Sequence, residues 1–180
     1  MAVLTGVIAD DFTGATDIAS FMSEQGWRVA LLPGIPGPAD KWGEEADAIV
    51  ISLKSRSLPA DEACQQARQC YQWLRNQAGA RQIYFKYCST FDSTAEGNIG
   101  PVSDCLLQET DAPFVVHCPA LPQNGRTVVH AHLFVNGLLL NESGLENHPL
   151  NPMTDAHLVR LLPAPAETQT GRIDTAAVQP

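Results

Sequence analysis

The sequence predicts an α/β protein, a mostly parallel sheet with helices on both faces in a Rossmann-like arrangement. Three observations carry this. Short apolar runs (Val3 to Ala9, Ala48 to Leu53, Gln82 to Phe85) have the length of buried strands rather than helices. Between them lie stretches whose apolar residues recur at helical spacing. Each run also ends in polar or charged residues, as strands do where they feed ligand-binding loops. Strands alternating with helices imply βαβ units, hence parallel pairing.

The elements follow in order. Val3 to Ala9 leads into Asp10-Asp11-Phe12-Thr13-Gly14, after which Ala15, Ile18, Ala19 and Met22 mark a helix up to Gly26. Arg28 to Leu32 is a second strand, followed by a Pro/Gly-rich loop from Pro33 to Pro38. Ala48 to Leu53 is the third, ending at Lys54-Ser55-Arg56-Ser57. Pro59 then stands near the start of a helix with Ala63, Ala67, Cys70 and Leu74 as its inward stripe. Gln82 to Phe85 forms a fourth strand, ending at Lys86-Tyr87-Cys88-Ser89-Thr90. Ser93-Thr94-Ala95-Glu96 fits a capping box and starts a helix to about Thr110. Phe114 to Cys118 is the expected fifth strand.

From Pro119 the style changes to a small β-hairpin excursion around residues 126–152. Arg126 to His130 and Leu133 to Leu140 read as short strands around turns, with Asn136-Gly137 as a hairpin turn. Asn141 to Pro152 is polar and runs over the surface. Thr154 or Asp155 caps a short helix to Leu162, and Arg172 to Val178 reads as a strand just begun.

Composition narrows the function. The 180 residues hold 44% hydrophobic and 17% charged residues, a globular balance. Lys plus Arg is 11 against 20 for Asp plus Glu, so the net charge of −9 argues against nucleic acid as a partner. The apolar runs are too short to span a membrane, and Met1 leads straight into a strand without a signal-peptide pattern. A cytoplasmic protein is expected. Five cysteines without a C-x-x-C pair suit buried or half-buried free thiols rather than a disulfide framework or a zinc site. His130 and His132 form an H-x-H, which on a strand would put both rings on one face.

The chemistry gathers at the strand ends. Asp10 and Asp11 follow the first strand, Lys54 and Arg56 the third, and Lys86 the fourth, with Ser89, Thr90 and Asp92 just behind. In a parallel sheet these ends share one edge. Two of the chain's three lysines fall there, so an acidic protein concentrates its positive charge where an anionic ligand would bind. Asp11 or Thr13 suits a helix cap, but one cap does not need two carboxylates, which leaves Asp10 another role. No G-x-G-x-x-G or Walker-type phosphate loop is present, and the adjacent aspartates do not make the D-x-D of a haloacid-dehalogenase-type phosphatase.

Several longer motifs carry a resemblance. Ile8-Ala9-Asp10-Asp11-Phe12-Thr13-Gly14-Ala15-Thr16-Asp17 resembles the opening of the four-carbon acid sugar kinase family. Lys86 to Thr94 with Gly97-Asn98-Ile99-Gly100-Pro101 is similar to a second hallmark of that family. Cys118-Pro119-Ala120 with Asn124-Gly125-Arg126-Thr127 is similar again, as are Asn141-Glu142-Ser143-Gly144 and His148-Pro149 with Pro152-Met153-Thr154-Asp155. Within the family the match runs nearest to the branch that acts on 3-oxo-tetronates, over about residues 3–162.

The resemblance implies ATP-dependent phosphorylation of the terminal 4-hydroxyl of a 3-oxo-tetronate, with erythronate or threonate as alternative substrates. It implies an N-terminal sugar-acid-binding domain, here residues 1–162, with 163–180 as a cut continuation. ATP and magnesium would fall mainly to a C-terminal nucleotide-binding domain absent from these residues. A non-catalytic sugar-acid-binding module and a structural partner are the competing classes. Asp10 or Asp11 would take the hydroxyl proton. Arg56 and Lys86 would hold the substrate's anionic end, with Lys54, Ser89, Thr90 and Asp92 as further substrate contacts. A sheet edge left exposed would also let two copies cover each other as a homo-oligomer.

Overall fold

The computed structural model describes residues 3–38, 40, 42–43, 45–91, 97–110, 112–162, 169–173 and 177. The chain divides into two compact units, Met1–Tyr87 with Pro101–Asp111, and Cys88–Gly100 with Ala112–Pro180.

The first unit carries a four-stranded parallel sheet of β1 (Thr5–Ala9), β2 (Val29–Leu32), β3 (Ala48–Ser52) and β4 (Gln82–Lys86) in the order β2-β3-β1-β4. Every residue of β1 and β3 is buried, which is why both read as unbroken apolar runs. Period-two alternation splits the core. Val7, Ala9 and Val50 pack with Ala15, Ile18, Ala19 and Met22 of α1 (Phe12–Glu24) on one face. Ile8, Ile49 and Ile51 pack on the other with Ala63, Ala67, Cys70 and Leu74 of α2 (Ala60–Asn76). Val102 and Leu106 of α3 (Ile99–Gln108) join that second face. The α2 stripe is the one the spacing predicts, and Pro59 precedes its first residue.

The α/β class and parallel pairing stand as expected, with differences of detail. β4 is an edge strand of the described sheet, and Tyr84 on it is exposed. The helix expected from Ser93 is seen as Ile99–Gln108, and its capping-box residues 93–96 lie outside the described residues, as does Asp92. Outside the strand ends, Arg28 pairs through two nitrogens with Asp47, whose carboxyl is held down at about 2 by that hydrogen bonding.

In the second unit, residues 114–118 form no strand. Their β-branched composition favours extended backbone, but a strand exists only through a paired neighbour, and Phe114, Val115 and Val116 are exposed. A three-stranded antiparallel sheet follows, β5 (Arg126–Val129), β6 (His132–Val135) and β7 (Leu138–Leu139). The hairpin turn expected at Asn136-Gly137 joins β6 to β7, and both of its residues have positive φ, 52° and 84°. His130 and Ala131 do the same between β5 and β6, with φ of 48° and 62°. Both turns thus have the I′ shape that matches strand twist. His130 therefore sits in a turn while His132 is on β6, so the H-x-H does not share a strand face; the His132 ring stacks edge-on against His157 instead, 4.8 Å between centroids.

The short helix α4 (Leu158–Leu161) begins after His157. Asp155 does not cap it. Its carboxylate accepts from the His157 backbone N–H and pairs with Arg160, which holds its pKa down at about 2. Arg172 and Ile173, where a strand was expected to begin, have no regular structure.

Candidate active site

Three chain segments leave the carboxyl ends of β1, β3 and β4 side by side. Parallel register sets this, because Ala9 lies opposite both Ser52 and Lys86. The backbone ties the segments further. The Asp10 N–H donates to the Lys86 carbonyl at 3.0 Å, and the Asp10 carbonyl accepts from Ser55 N–H at 3.0 Å and Arg56 N–H at 3.3 Å. The side chains of Asp10, Asp11, Arg56 and Lys86 therefore converge.

Arg56 is the hub. Its Nε and Nη2 contact the two oxygens of Asp10 at 3.1 and 2.9 Å, the two-pronged geometry a guanidinium offers a carboxylate. Its Nη1 lies 2.7 Å from Asp11 Oδ2. A lysine could not hold both acids this way. Asp10 is 2% exposed, and burial pushes its carboxyl up while Arg56 pulls it back down. The Asp11 side chain is more open, at 25%.

Asp11 also caps α1. It has extended backbone, and its Oδ1 accepts from the Gly14 N–H at 2.7 Å. Gly14 itself is a residue the sequence reading passed over as a functional one. A Cβ there would come 2.9 Å from Asp11 Oδ1 and 3.2 Å from Lys86 Nζ. The signal was a glycine in the first turn of a helix, where alanine would favour the helix. The missing side chain lets the Lys86 ammonium approach the first turn of α1. Lys86 Nζ donates to the Tyr87 carbonyl at 2.8 Å and enters no ion pair among the described residues. Its remaining donors are available to an anion.

Of the eight residues the sequence nominates, the structure brings together Asp10, Asp11, Arg56 and Lys86. Lys54 is exposed at the end of β3 and makes no ion pair among the described residues. Ser89 and Thr90 are half-buried and belong to the second unit, where Thr90 Oγ1 lies 3.0 Å from Cys88 Sγ. Asp92 lies outside the described residues. Arg56, expected at the substrate's anionic end, directs its three guanidinium nitrogens to Asp10 and Asp11.

A family model described as a sugar-binding N-terminal domain matches residues 5–180. The chain belongs to this family. The sugar-binding N-terminal domain seen here is 57% identical, over 92% of its length, to the 3-oxo-tetronate kinase of Escherichia coli K12, so the resemblance read from the motifs is borne out. The match covers 42% of that kinase; the chain spans about two fifths of the length of the curated relatives it matches. A crystal structure of a Haemophilus influenzae protein of the DUF1537 family superposes with a TM-score of 0.89 at 56% identity, covering 95% of this chain and 41% of that one. A domain of unknown function from Bordetella bronchiseptica, crystallised with bound citrate as a domain-swapped dimer, matches at 31% identity and a TM-score of 0.74. It covers 88% of this chain and 39% of that one. The kinase family of the relatives and the α/β fold of the sugar-binding N-terminal domain thus agree.

The kinase relatives imply nucleotide and magnesium, so the strand-end residues can be tested for fit. Among the described residues no three His, Cys, Asp or Glu side chains form a group that could hold a metal ion. The two aspartates at the strand ends direct their oxygens to Arg56 and Gly14.

Proposed function

We propose that this chain is the acid-sugar-binding part of an ATP-dependent kinase that phosphorylates the terminal 4-hydroxyl of a 3-oxo-tetronate, giving the 4-phosphate. The observation that supports it best is the Asp10–Arg56–Asp11 cluster beside the Lys86 ammonium, in a domain whose relative is named a 3-oxo-tetronate kinase. Residues 1–162 form the sugar-acid domain, and ATP with magnesium is bound mainly by a C-terminal nucleotide-binding domain. The protein works in the cytoplasm, and its partner is a small sugar acid rather than a nucleic acid or a membrane.

A tetronate carries one carboxylate and several hydroxyls. Lys86 takes the anionic end as a point charge, with Lys54 adding a second positive charge at the strand ends. Asp11, the more open acid, accepts a hydrogen bond from the reacting hydroxyl and takes its proton as the oxygen attacks. Asp10 is too enclosed for that role and anchors Arg56, which in turn fixes Asp11.

The test is a phosphorylation assay followed by ³¹P NMR. A polypeptide that joins this domain to its nucleotide-binding partner should convert a 3-oxo-tetronate and ATP to the 4-phosphate, while residues 1–180 alone should give no turnover. Robust ATP-dependent turnover by the 180 residues alone, or preferred phosphorylation of erythronate or threonate, would overturn the reading.

A further inference from the structure

Two cysteines face each other across the helices that cover one side of the sheet. Cys64 lies near the start of α2 and Cys105 within α3. Both helices contribute to one core, through Ala63 and Ala67 on α2 and Val102 and Leu106 on α3. The Cys105 thiol lies 3.5 Å from the Cys64 carbonyl oxygen, to which it donates, so its sulfur sits directly beside Cys64. Arg68, one turn beyond Cys64, bridges the same pair of helices, donating to Gln108 at 3.0 Å and pairing with Glu109 at 3.3 Å.

We propose that Cys64 and Cys105 form a redox site, joined by peroxide into a disulfide that staples α2 to α3. A disulfide needs two sulfurs that can meet without large backbone movement, and helices packed closely enough to bring the Cys105 sulfur to 3.5 Å from the Cys64 backbone carbonyl leave only a side-chain rotation for the sulfurs to meet. No other cysteine is placed this way. Cys70 is fully buried in the core, Cys88 contacts Thr90, and Cys118 is exposed.

The chemistry runs in two steps. Cys64, half-exposed where Cys105 is buried, reacts first. Its thiolate attacks one oxygen of hydrogen peroxide, giving the sulfenic acid and hydroxide, which takes a proton to become water. The Cys105 sulfur then attacks the sulfenic sulfur, loses its proton and expels hydroxide, which leaves as a second water. Two thiols and one peroxide give one disulfide and two waters, the sulfurs losing the two electrons that the peroxide gains.

Local electrostatics set the pace. Burial raises both thiols, Cys105 to about 11, while the Arg68 charge favours both thiolates. Asp61 and Asp104 oppose ionisation of Cys64, and Glu109 that of Cys105. The site is thus a slow responder, set by sustained oxidant rather than a brief pulse. The staple closes a loop that contains β4 and Lys86, so it restrains the segment that carries the site's ammonium.

The experiment is peroxide treatment of the 180-residue chain, followed by intact mass and a non-reducing peptide map. Digestion with trypsin and Glu-C leaves every cysteine on its own peptide, Cys64 on 63–68 and Cys105 on 97–109. The expected result is a loss of about 2 Da with peptides 63–68 and 97–109 linked, reversed by dithiothreitol. The melting temperature should rise by roughly 5–10 °C, as a long closed loop constrains the unfolded chain. In a Cys105→Ser variant that keeps its circular-dichroism spectrum, Cys64 should stop at the sulfenic acid and be trapped by dimedone. A Cys88–Cys118 link, intermolecular bonding through Cys118, or independent oxidation of Cys64 and Cys105 to sulfinic acids in the wild type would overturn the proposal.

Discussion

Arg56→Ala should be the most destabilising substitution at the site, costing about 3–5 kcal/mol, because it strands a buried carboxylate without its partner. Asp10 is 2% exposed and contacts Arg56 through both oxygens, so truncation leaves the charge with little to replace that contact. At this chain length the loss corresponds to a melting temperature lower by roughly 6–20 °C. The pH dependence gives the cause away. Burial already raises the Asp10 carboxyl above its ordinary 3.8, and Arg56 is the chief influence that lowers it. Without Arg56 the folded-state pKa rises further, so the folded variant binds a proton more readily than the unfolded chain. Its deficit relative to wild type should therefore be largest near neutrality and shrink as pH falls through the raised pKa towards 3.8. Thermal melts of both proteins across that range check this. A deficit that stays constant with pH would mean Arg56 contributes packing and not charge.

Asp11→Asn, made at this aspartate in a kinase that carries the domain, should lower kcat by about 10²-fold or more, the scale of general base catalysis. The substitution keeps the side-chain shape and a carbonyl oxygen for the Gly14 N–H, so the α1 cap survives. Asp10→Asn should act differently. It loosens Arg56 and thereby misplaces Asp11, so KM and kcat should both change, with a fall in stability that Asp11→Asn does not share. Steady-state kinetics and melts on both variants separate the cases. Unchanged kcat in Asp11→Asn would remove the proton-accepting role and leave Asp11 as a helix cap.

Much of this arrangement is legible in the residues because one physical rule covers it. Buried parallel strands must be continuously apolar, and helices on such a sheet must present a stripe, so β1, β3 and the Ala63–Ala67–Cys70–Leu74 face of α2 were readable directly. Strand polarity then placed Asp10, Asp11, Arg56 and Lys86 at one edge before any contact was known. Side-chain partnership was not readable. Whether Arg56 faces a substrate or two acids depends on backbone bonds from Asp10 to Lys86 and Ser55, which bring the segments to a spacing that no local pattern encodes. Gly14 was missed for the same reason, since the room it leaves is for Lys86, far away in sequence. Residues 114–118 failed in the opposite direction. Their composition suits a strand, but composition cannot supply the neighbour a strand requires. Turn chemistry split the difference: Asn136-Gly137 announces its turn, while His130-Ala131 adopts the same shape without such a signal.

The central claim is that an acid sugar binds where β1, β3 and β4 end, and amide chemical shifts of the 180-residue chain titrated with a four-carbon sugar acid test it most directly. Saturable shifts should be largest at residues 10–14, 54–56 and 86–87, and Lys86→Ala should weaken binding by about tenfold or more, as expected for loss of a charged contact. Shifts centred instead on the β5–β7 sheet, or none at millimolar ligand, would contradict the account.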